Sequence, residues 1–308
     1  MILVLGSGLD RVYPKVLACL AETAHPFATV DEDCPTRYSV KCDQQNGHPV
    51  FRIFGGDCDG SRQVGSIFVR HAVARTMDQE HLACVGQLQA ALNRMLLFAG
   101  CSVINHPASA YSNYSKAYQV ELLARSGFDV PRTLLTNVPD EARSFCEELD
   151  GNVIFKGASN MMTLAQVMTP EHLPRLEMLP YCPTIFQEYV AGVDYRVHVV
   201  GDDAFVTRII TCDEDYRRSS LIAREDIASE AAALPQEVIA KCVEFTKDLG
   251  LIASGIDFKE TPAGRLVALE CNPYPQFTFY EGLTGQPITR AVIDYLVRHE
   301  TKHATVFA

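Results

Sequence analysis

The chain opens with an uninterrupted apolar run at residues 1–5 (MILVL), which ends in the turn Gly6-Ser7-Gly8. Apolar residues then recur at helical spacing from Val12 to Leu20. A continuous apolar run followed by a glycine turn and an amphipathic helix is typical of a buried parallel strand in a βα unit. Because the turn has two of the three glycines of a dinucleotide fingerprint, a plain strand-to-helix turn is favoured over a dehydrogenase site.

Apolar strands and amphipathic helices alternate along the rest of the 308 residues, which predicts an α/β and α+β architecture. We expect three units, at residues 1–104, 105–185 and 186–308. The predicted strands are 27–30, 50–54, 103–104, 130–136, 153–156, 185–190, 194–200, 204–210, 252–258 and 266–270. The predicted helices are 79–98, one that Asn113 or Ser115 opens and Gly127 ends, 139–149, 235–249 and 287–299.

Charge and cysteine content narrow the classes of partner and compartment. Lysine and arginine total 27 against 38 aspartate and glutamate residues, a formal charge of −11. Binding a nucleic-acid backbone requires dense positive charge, so this balance predicts no nucleic-acid partner. Eleven cysteines are spread along the chain without a C-x-x-C pair, which is typical of reduced thiols in a cytoplasmic protein. Because no signal peptide and no apolar stretch of about 18 residues is visible, we expect no membrane association.

Two acidic residues interrupt otherwise apolar strands late in the chain. Asp257 and Glu270 flank a four-residue turn, and Asn272 follows two residues after Glu270. Pairing Glu260 with Arg265 would make the two carboxylates diagonal neighbours on one sheet face, about 7 to 8 Å apart. Two carboxylates and an amide are hard oxygen ligands, which Mg²⁺ takes together with phosphate oxygens. The alternative is a solvated acidic hairpin with a structural Asn-Pro turn.

Two lysines are placed where they could serve a phosphate. Lys156 ends an apolar strand, so its ammonium group would emerge at the strand terminus. Lys116 lies in the first turn of a helix, where its charge opposes the helix dipole and gains nothing locally. Each lysine taken alone is better explained as a solvated surface charge.

The strand at 194–200 alternates, so that Asp194, Arg196 and His198 share one face. A turn at 201–203 would return Arg208 beside Tyr195 or Arg196. Arginines inside a sheet are costly to bury unless they meet anions, which makes this strand pair a candidate anion site. His198 could be a general base or a hydrogen-bonded core histidine. No G-x-S-x-G elbow or Gly-Lys-Ser/Thr sequence occurs, which argues against a serine hydrolase and a Walker P-loop.

In this order the motifs resemble the ATP-grasp superfamily, in particular the branch that contains the ribosomal-protein glutamate ligase and the microviridin-type graspetide ligases. The resemblance runs from about Asn105 to Ile288. It is carried by Ser115-Lys116, the run GFDVPRT at 127–133, the strand VIFK that ends at Lys156, the run FQEYV at 186–190, Asp194, Arg208 and the acidic hairpin.

The resemblance implies an ATP-grasp fold behind a Rossmann-like N-terminal domain, with ATP and Mg²⁺, or Mn²⁺ in its place, as cofactors. The implied ATP contacts are Lys116, Lys156, Gln187, Glu188, Tyr189, Val190 and Asp194. The implied metal ligands are Asp257, Glu270 and Asn272. Arg208 is the implied catalytic residue, and Arg196, Arg217 and Tyr274 are the expected substrate contacts.

Three stretches bear on the subgroup. The run NPYPQ at 272–276 is similar to the graspetide asparagine-proline-x-glycine-glutamine pattern, although Pro275 replaces the glycine. Asp215-Tyr216-Arg217 resembles the acidic-aromatic-arginine triplet of that branch. Residues 157–162 lack the glycine-rich phosphate flap of most ATP-grasp enzymes, as the graspetide branch also tends to.

The implied reaction is ATP-dependent ligation of a carboxylate to an amine or hydroxyl group through an acyl phosphate, with release of ADP and phosphate. A ribosomal peptide is the first candidate substrate, and small amino acids are the second. A nucleotide-binding module without turnover is a third possibility, and a dehydrogenase is a distant fourth. We expect a cytoplasmic homodimer.

Overall fold

The sequence folds into four β-sheets with flanking helices in a computed structural model that describes residues 1–71, 78–158, 165–210, 228–301 and 305–308, apart from the side chains of 111–114. The strands are β1 (Ile2–Gly6), β2 (Phe27–Asp31), β3 (Ser39–Gln45), β4 (His48–Gly55), β5 (Cys58–Asp59), β6 (Ser66–Arg70), β7 (Ser102–Ile104), β8 (Thr133–Thr136), β9 (Val153–Gly157), β10 (Gln166–Val167), β11 (Thr184–Glu188), β12 (Val193–Val200), β13 (Asp203–Ile210), β14 (Ala228–Ala231), β15 (Ala253–Glu260), β16 (Leu266–Asn272) and β17 (Val306–Phe307). The α-helices are α1 (Val12–Ala21), α2 (Gln79–Leu96), α3 (Lys116–Arg125), α4 (Pro139–Glu148), α5 (Gln236–Asp248), α6 (Phe277–Thr284) and α7 (Ile288–Arg298), and 3₁₀ helices cover Pro35–Arg37, Pro107–Tyr114 and Pro170–Tyr181.

The first sheet is parallel, with the order β2-β1-β6-β7, and it confirms the predicted βα start. Every residue of β1 is buried. Ile2 and Val4 enter one hydrophobic core, whereas Leu3 and Leu5 enter another on the opposite face. Cores on both faces explain why the opening run is apolar throughout and not alternating.

Two features of the N-terminal region were missed in the sequence. Strand β6, the neighbour of β1, follows a stretch rich in glycine and aspartate that reads as a loop. A hairpin joins β3 to β4 through Asn46-Gly47, both with positive φ, which is the signature of a type I′ turn. The short C-terminal strand β17 pairs with β4 and completes this second sheet.

The third sheet has the order β10-β9-β11-β8, and its strand pairs are antiparallel. Helix α4 and the 3₁₀ helix at Pro170–Tyr181 cover one face, where Phe145, Leu176 and Phe186 form a core. Its other face carries Lys156, whose direct neighbour on β11 is Ile185. We refer to this sheet and its covering helices as the lid.

The fourth sheet is antiparallel, with the order β14-β13-β12-β15-β16. Tyr195, Val197 and Val199 of the central strand pack on one face against Phe245 of α5 and Leu123 of α3. The opposite face carries the polar residues of the same strand. One face is therefore a core, and the other is available for chemistry.

The predicted division at 104/105 and 185/186 stays a prediction, and packing crosses it in two places. Helix α3 packs mainly on the fourth sheet and also contacts β8 of the lid. Helix α7 packs through Ile288, Val292 and Leu296 against the first sheet and α1.

Within the described ranges, no helix has the length and apolarity needed to cross a membrane. Ten cysteines are free thiols, and Cys212 lies outside the described residues.

Candidate active site

Asp257 and Glu270 face each other directly across β15 and β16. The hairpin pairs Glu260 with Leu266, and the register then shifts after Phe258 so that Leu269 is an extra, bulged residue. Without the bulge, Asp257 would oppose Leu269, and Glu270 would lie on the other face. The diagonal pairing predicted above is therefore wrong, and the two carboxylates are closer than expected, with Cβ atoms about 4.5 to 5.5 Å apart by strand spacing.

Arg196 lies on the next strand and bonds the first of these carboxylates. Its Nη1 is 2.6 Å from Oδ1 and 2.7 Å from Oδ2 of Asp257, and both residues are buried. The guanidinium lies across Gly255, where an added Cβ would sit 2.5 Å from Nη2. The ring of Tyr280, on the unpredicted helix α6, is 5.7 Å from the guanidinium carbon. Position 255 is glycine because Arg196 fills the space above it.

Lys116 meets the second carboxylate. The side chain of Ser115 caps α3 by accepting the backbone N–H of Tyr118 at 3.3 Å, as expected for one of the two predicted N-caps. The helix therefore begins at Lys116, whose Nζ is 3.3 Å from Oε2 of Glu270. The charge of Lys116, which its own helix does not stabilise, is thus stabilised by Glu270 of β16.

A cleft with an empty volume of about 700 Å³ lies between the lid and the fourth sheet. Eight of the site residues expected from the sequence line it: Lys156, Gln187, Glu188, Tyr189, Val190, Asp194, Asp257 and Glu270. Five further lining residues were not predicted: Ile154, Ala165, Val167, Lys259 and Leu269. The bulge brings Leu269 to the cleft beside Glu270, so it adds an apolar wall next to the charged floor.

The charged residues of the cleft are held by neighbours. Nζ of Lys156 is 3.5 Å from Oε1 of Gln187, and Gln187 donates to the hydroxyl of Thr133 at 3.0 Å. Lys259 donates to Asp194 at 2.9 Å, and both side chains are about nine-tenths buried. The alternation of β15 could have identified Lys259, because it lies two residues beyond Asp257 on the same face.

The carboxylate of Glu188, at the end of β11, accepts the backbone N–H of Arg132 at 3.1 Å. The backbone N–H of Tyr189 donates to the carbonyl of Asn152 at 2.8 Å. These bonds tie the end of β11 to the residues that precede β8 and β9. The backbone at this edge of the cleft is therefore fixed by hydrogen bonds.

Arg208 is not brought to this site. It pairs with Tyr195, which faces the core under α5, whereas Arg196 pairs with Thr207. Its Nη1 bonds Glu230 of β14 at 3.0 Å. This register contradicts the prediction that Arg208 faces the reacting groups, because neighbouring residues of a strand point to opposite faces. Arg217, the other arginine considered, lies outside the described residues.

His198 lies two residues beyond Arg196 on the site face and is 1% exposed. Among the described residues neither ring nitrogen has a hydrogen-bond partner, so the alternative of a hydrogen-bonded core histidine finds no support there. The ring of Tyr280 packs against it, with centroids 4.9 Å apart. Burial lowers the pKa of His198 well below its ordinary value, and the charge of Arg196 lowers it further. We therefore expect the imidazole to be neutral at neutral pH.

The segment after β16 contacts the turn that follows β1. The backbone N–H of Tyr274 donates to Oδ1 of Asn272 at 2.9 Å. Gln276 donates to Asp10 at 2.8 Å, and Asp10 also pairs with the buried Arg70 at 3.0 Å. Cys271 points to the opposite, core side, as predicted, and burial raises the pKa of its thiol to about 12.

In the glycine turn after β1, the hydroxyl of Ser7 and the backbone N–H of Gly8 are already bonded within the chain, so they are not available to a phosphate. The hydroxyl of Ser7 donates to Oδ1 of Asp33 at 2.6 Å, and the backbone N–H of Gly8 donates to Oδ2 at 2.8 Å. A carboxylate of the chain itself occupies the anion position. The dehydrogenase alternative therefore finds no support in this turn.

The oxygen atoms of Asp257, Glu270 and Asn272 fit a magnesium ion. The register Asp257–Glu270 and Gly255–Asn272 places all three on one face of the hairpin. No cluster of three or more histidine, cysteine, aspartate or glutamate residues suited to a metal occurs in the described part of the chain. Two carboxylates and one amide are an incomplete set for an all-protein cage, and they match a site that phosphate oxygens complete.

The chain is similar to known proteins in sequence and in fold. The family described as "RimK-like ATP-grasp domain" matches residues 113–296, well over half of the chain. A protein of Xanthomonas euvesicatoria pv. vesicatoria (strain 85-10) named "Probable alpha-L-glutamate ligase" is 28% identical over 225 residues, 70% of this chain and 75% of that protein.

The structure of the ATP-grasp ligase PsnB complexed with minimal precursor has a TM-score of 0.82 and 26% identity, over 97% of this chain and 98% of that one. PsnB complexed with a phosphomimetic variant of minimal precursor, Mg and ADP has a TM-score of 0.80 at the same identity and coverage. PsnB with precursor peptide PsnA2 and AMPPNP has a TM-score of 0.77 and 26% identity, over 96% of this chain and 98% of that one.

These matches confirm the expected ATP-grasp fold and the resemblance to the glutamate ligase and peptide ligase branch. They also confirm that the protein is an ATP-dependent ligase. The chain belongs to the RimK-like ATP-grasp family.

Proposed function

We propose that the protein joins a carboxylate of a peptide to an amine or hydroxyl group at the expense of ATP. The observation that carries the proposal is the direct pairing of Asp257 and Glu270, each bonded to a cation, on the floor of the cleft beneath the lid. A nucleotide and an acid that must exchange a phosphoryl group need such a set of oxygen ligands and cations in one place.

ATP would occupy the cleft lined by Lys156, residues 187–190 and Asp194. Ile154, Val167 and Leu269 supply apolar walls for the adenine ring. Lys156, which lines the cleft, and Lys116, which contacts Glu270, would neutralise the phosphates. Lys259 holds Asp194 in place as the ribose contact.

Asp257, Glu270 and Asn272 would hold Mg²⁺, which supplies charge neutralisation at the phosphate oxygens when it is bound. Mn²⁺ could take its place. The bonds that these oxygens accept from Arg196, Lys116 and the backbone of Tyr274 fix their positions and leave further lone pairs.

The substrate carboxylate would attack the γ-phosphoryl group of ATP and form an acyl phosphate and ADP. The amine or hydroxyl then displaces inorganic phosphate as the amide or ester bond forms. Arg196 is the cation on the site face that would stabilise the developing negative charge, in the role first expected of Arg208. Arg217 and Tyr274 stay predicted substrate contacts. The residues act by position and electrostatics, without a covalent enzyme intermediate.

A peptide substrate is supported by the likeness to PsnB, which spans nearly the whole chain and includes complexes with precursors. A second candidate, ligation of free amino acids, is favoured by the likeness to the Xanthomonas glutamate ligase. A homodimer and a cytoplasmic location remain predictions from the sequence.

The test is an ADP-release assay with peptides encoded beside the gene and, separately, with free amino acids, followed by mass spectrometry of the product. Peptide-dependent ADP release with a product lighter by one water would support an intramolecular bond. A heavier peptide would identify the added group. ADP release with free amino acids alone would favour the second candidate, and no ADP release with either class would overturn the proposal.

A further inference from the structure

Asn272 lies between two backbone carbonyl groups that are each held by a buried side-chain amide. Gln119 of α3 donates from Nε2 to the carbonyl of Cys271 at 2.6 Å. Asn105 donates from Nδ2 to the carbonyl of Pro273 at 2.5 Å. The amides come from different segments, one on α3 and the other just after β7.

Building on the proposed function, we infer that Gln119 and Asn105 are positioning residues for the metal and phosphate site. Neither touches a reacting group. They act through Asn272, because they fix the backbone on both of its sides.

Gln119 ties the helix that carries Lys116 to the strand that carries Glu270. It is one turn along α3 from Lys116, it faces β16, and it is 4% exposed. Strand β16 is the edge of its sheet, so groups on its outer side have no strand partner. The bond from Gln119 satisfies one group of this edge, and the bond from Ala268 to the carbonyl of Asp129 at 2.7 Å satisfies another. The position of Lys116 relative to Glu270 therefore depends on Gln119.

Asn105 ties the loop that follows Asn272 to the start of β15. Its Oδ1 accepts the backbone N–H groups of Ile252 and Ala253, both at 2.9 Å, and its Nδ2 also donates to the carbonyl of Ala253 at 2.5 Å. With the bond to Pro273, all four hydrogen-bonding positions of the amide are used. The strand that carries Asp257 and the loop that follows Asn272 are thus held by one residue that is 2% exposed.

The hydrogen bonds of Gln119 and Asn105 matter because a metal site tolerates only small displacements of its ligands. Residues that orient ligands typically change metal affinity by about 10- to 100-fold when they are removed. If a buried amide had a merely structural role, replacing it would lower the stability of the fold and leave metal affinity unchanged. This difference makes the inference testable.

The test is the affinity of the ADP complex for Mn²⁺, measured by electron paramagnetic resonance of the free ion, in wild type, Gln119→Met and Asn105→Asp. Methionine keeps the length of glutamine without its donor, and aspartate keeps the acceptor of Asn105 without its N–H groups. We expect each variant to bind Mn²⁺ at least about 10-fold more weakly. Gln119→Asn, which keeps a shortened donor, should fall between wild type and Gln119→Met, and it serves if the other variants do not fold.

Gln89→Met is the matched control. Gln89 is a half-buried glutamine of α2 that donates to the fully buried Glu32 at 2.6 Å in the N-terminal domain. This variant should lose stability and keep wild-type Mn²⁺ affinity. Wild-type affinity in Gln119→Met, or an equal loss in Gln89→Met, would overturn the inference. A wild-type enzyme whose ADP complex does not bind Mn²⁺ would instead overturn the proposed metal site itself.

Discussion

Glu270 lies directly opposite Asp257 because Leu269 is bulged out of the pairing between β15 and β16. One extra residue has two effects on the site. It turns the second carboxylate to the face of the first, and it brings the side chain of Leu269 to the wall of the cleft. The same residue therefore shapes both the proposed metal site and the proposed apolar surface for the nucleotide.

Glu270→Gln should lower ADP production by at least about 100-fold, because the charge that would bind the metal and pair with Lys116 is lost while the shape is kept. The assay is ADP release at saturating ATP, with thermal unfolding to show that the fold is intact. Glu121→Gln is the control, since Glu121 makes an exposed ion pair with Arg125 on the same α3 helix. Normal turnover of Glu270→Gln would contradict the assignment.

Gly255→Ala should reduce ADP production without removing any functional group. The added Cβ would sit 2.5 Å from Nη2 of Arg196 and displace the guanidinium from Asp257. The backbone of Gly255 does not have the positive φ that would exclude alanine, and the clash is with the end of a flexible side chain, so the fold should survive.

Gly86→Ala is the matched control for this substitution. Gly86 lies inside α2 with open space at its Cβ position, so alanine should stabilise the helix by about 1 kcal/mol and leave activity unchanged. If Gly255→Ala keeps wild-type activity, the position of Arg196 over this glycine does not matter for the reaction.

Much of the site could be read from local sequence patterns. Asp257 and Glu270 interrupt apolar strands, and Glu270 and Asn272 are spaced to share a face. Lys116 lies at the start of a helix and Lys156 near the end of a strand. These signals depend on the two-residue period of a strand and on helix caps, which are properties of short segments. The family motifs then put them in order.

Register and bulges could not be predicted in the same way. A shift of one residue turns every side chain of a strand to the other face, and the sequence left open whether Arg208 lies beside Tyr195 or Arg196. The pairing with Tyr195 puts Arg208 behind the site, although the family resemblance implied a catalytic role for it. The shift at Leu269 depends on how β16 meets β15 in space, and no residue at that position marks it in the sequence. Tyr280 was missed because no helix was predicted between the strand at 266–270 and the helix at 287–299.

Arg196→Lys should lower ADP production by at least about 10-fold, whereas Arg208→Lys should leave it close to wild type. Lysine keeps the charge and loses the planar donor group that contacts both oxygens of Asp257. Arg208 bonds Glu230 on the opposite face of the sheet, so the same exchange there does not alter the site. The two rates, measured side by side, decide between the arginines. An equal loss in both variants would contradict the placement of Arg208.

His198 should make the fold less stable as the pH falls below about 6.5. Its pKa in the folded protein is well below the ordinary value of 6.5, because the ring is buried and Arg196 is adjacent. Between these two pKa values the unfolded chain binds more protons than the folded one, so the free energy of unfolding decreases as the pH falls. The slope from one such group reaches about 1.4 kcal/mol per pH unit.

His198→Phe removes this group and keeps a ring against Tyr280, so the variant should lose less stability than wild type between pH 8 and pH about 5.5. The measurement is urea unfolding of both proteins at each pH, and His48→Phe, at an exposed site on β4, is the control. His71 acts with the opposite sign: burial lowers its pKa, but the hydrogen bond and charge of Glu32 outweigh this and raise it, so it stabilises the fold at low pH. Because His71 is present in all three proteins, the difference between His198→Phe and wild type isolates His198. An unchanged pH dependence in His198→Phe would show that the buried ring is not the source of the acid sensitivity.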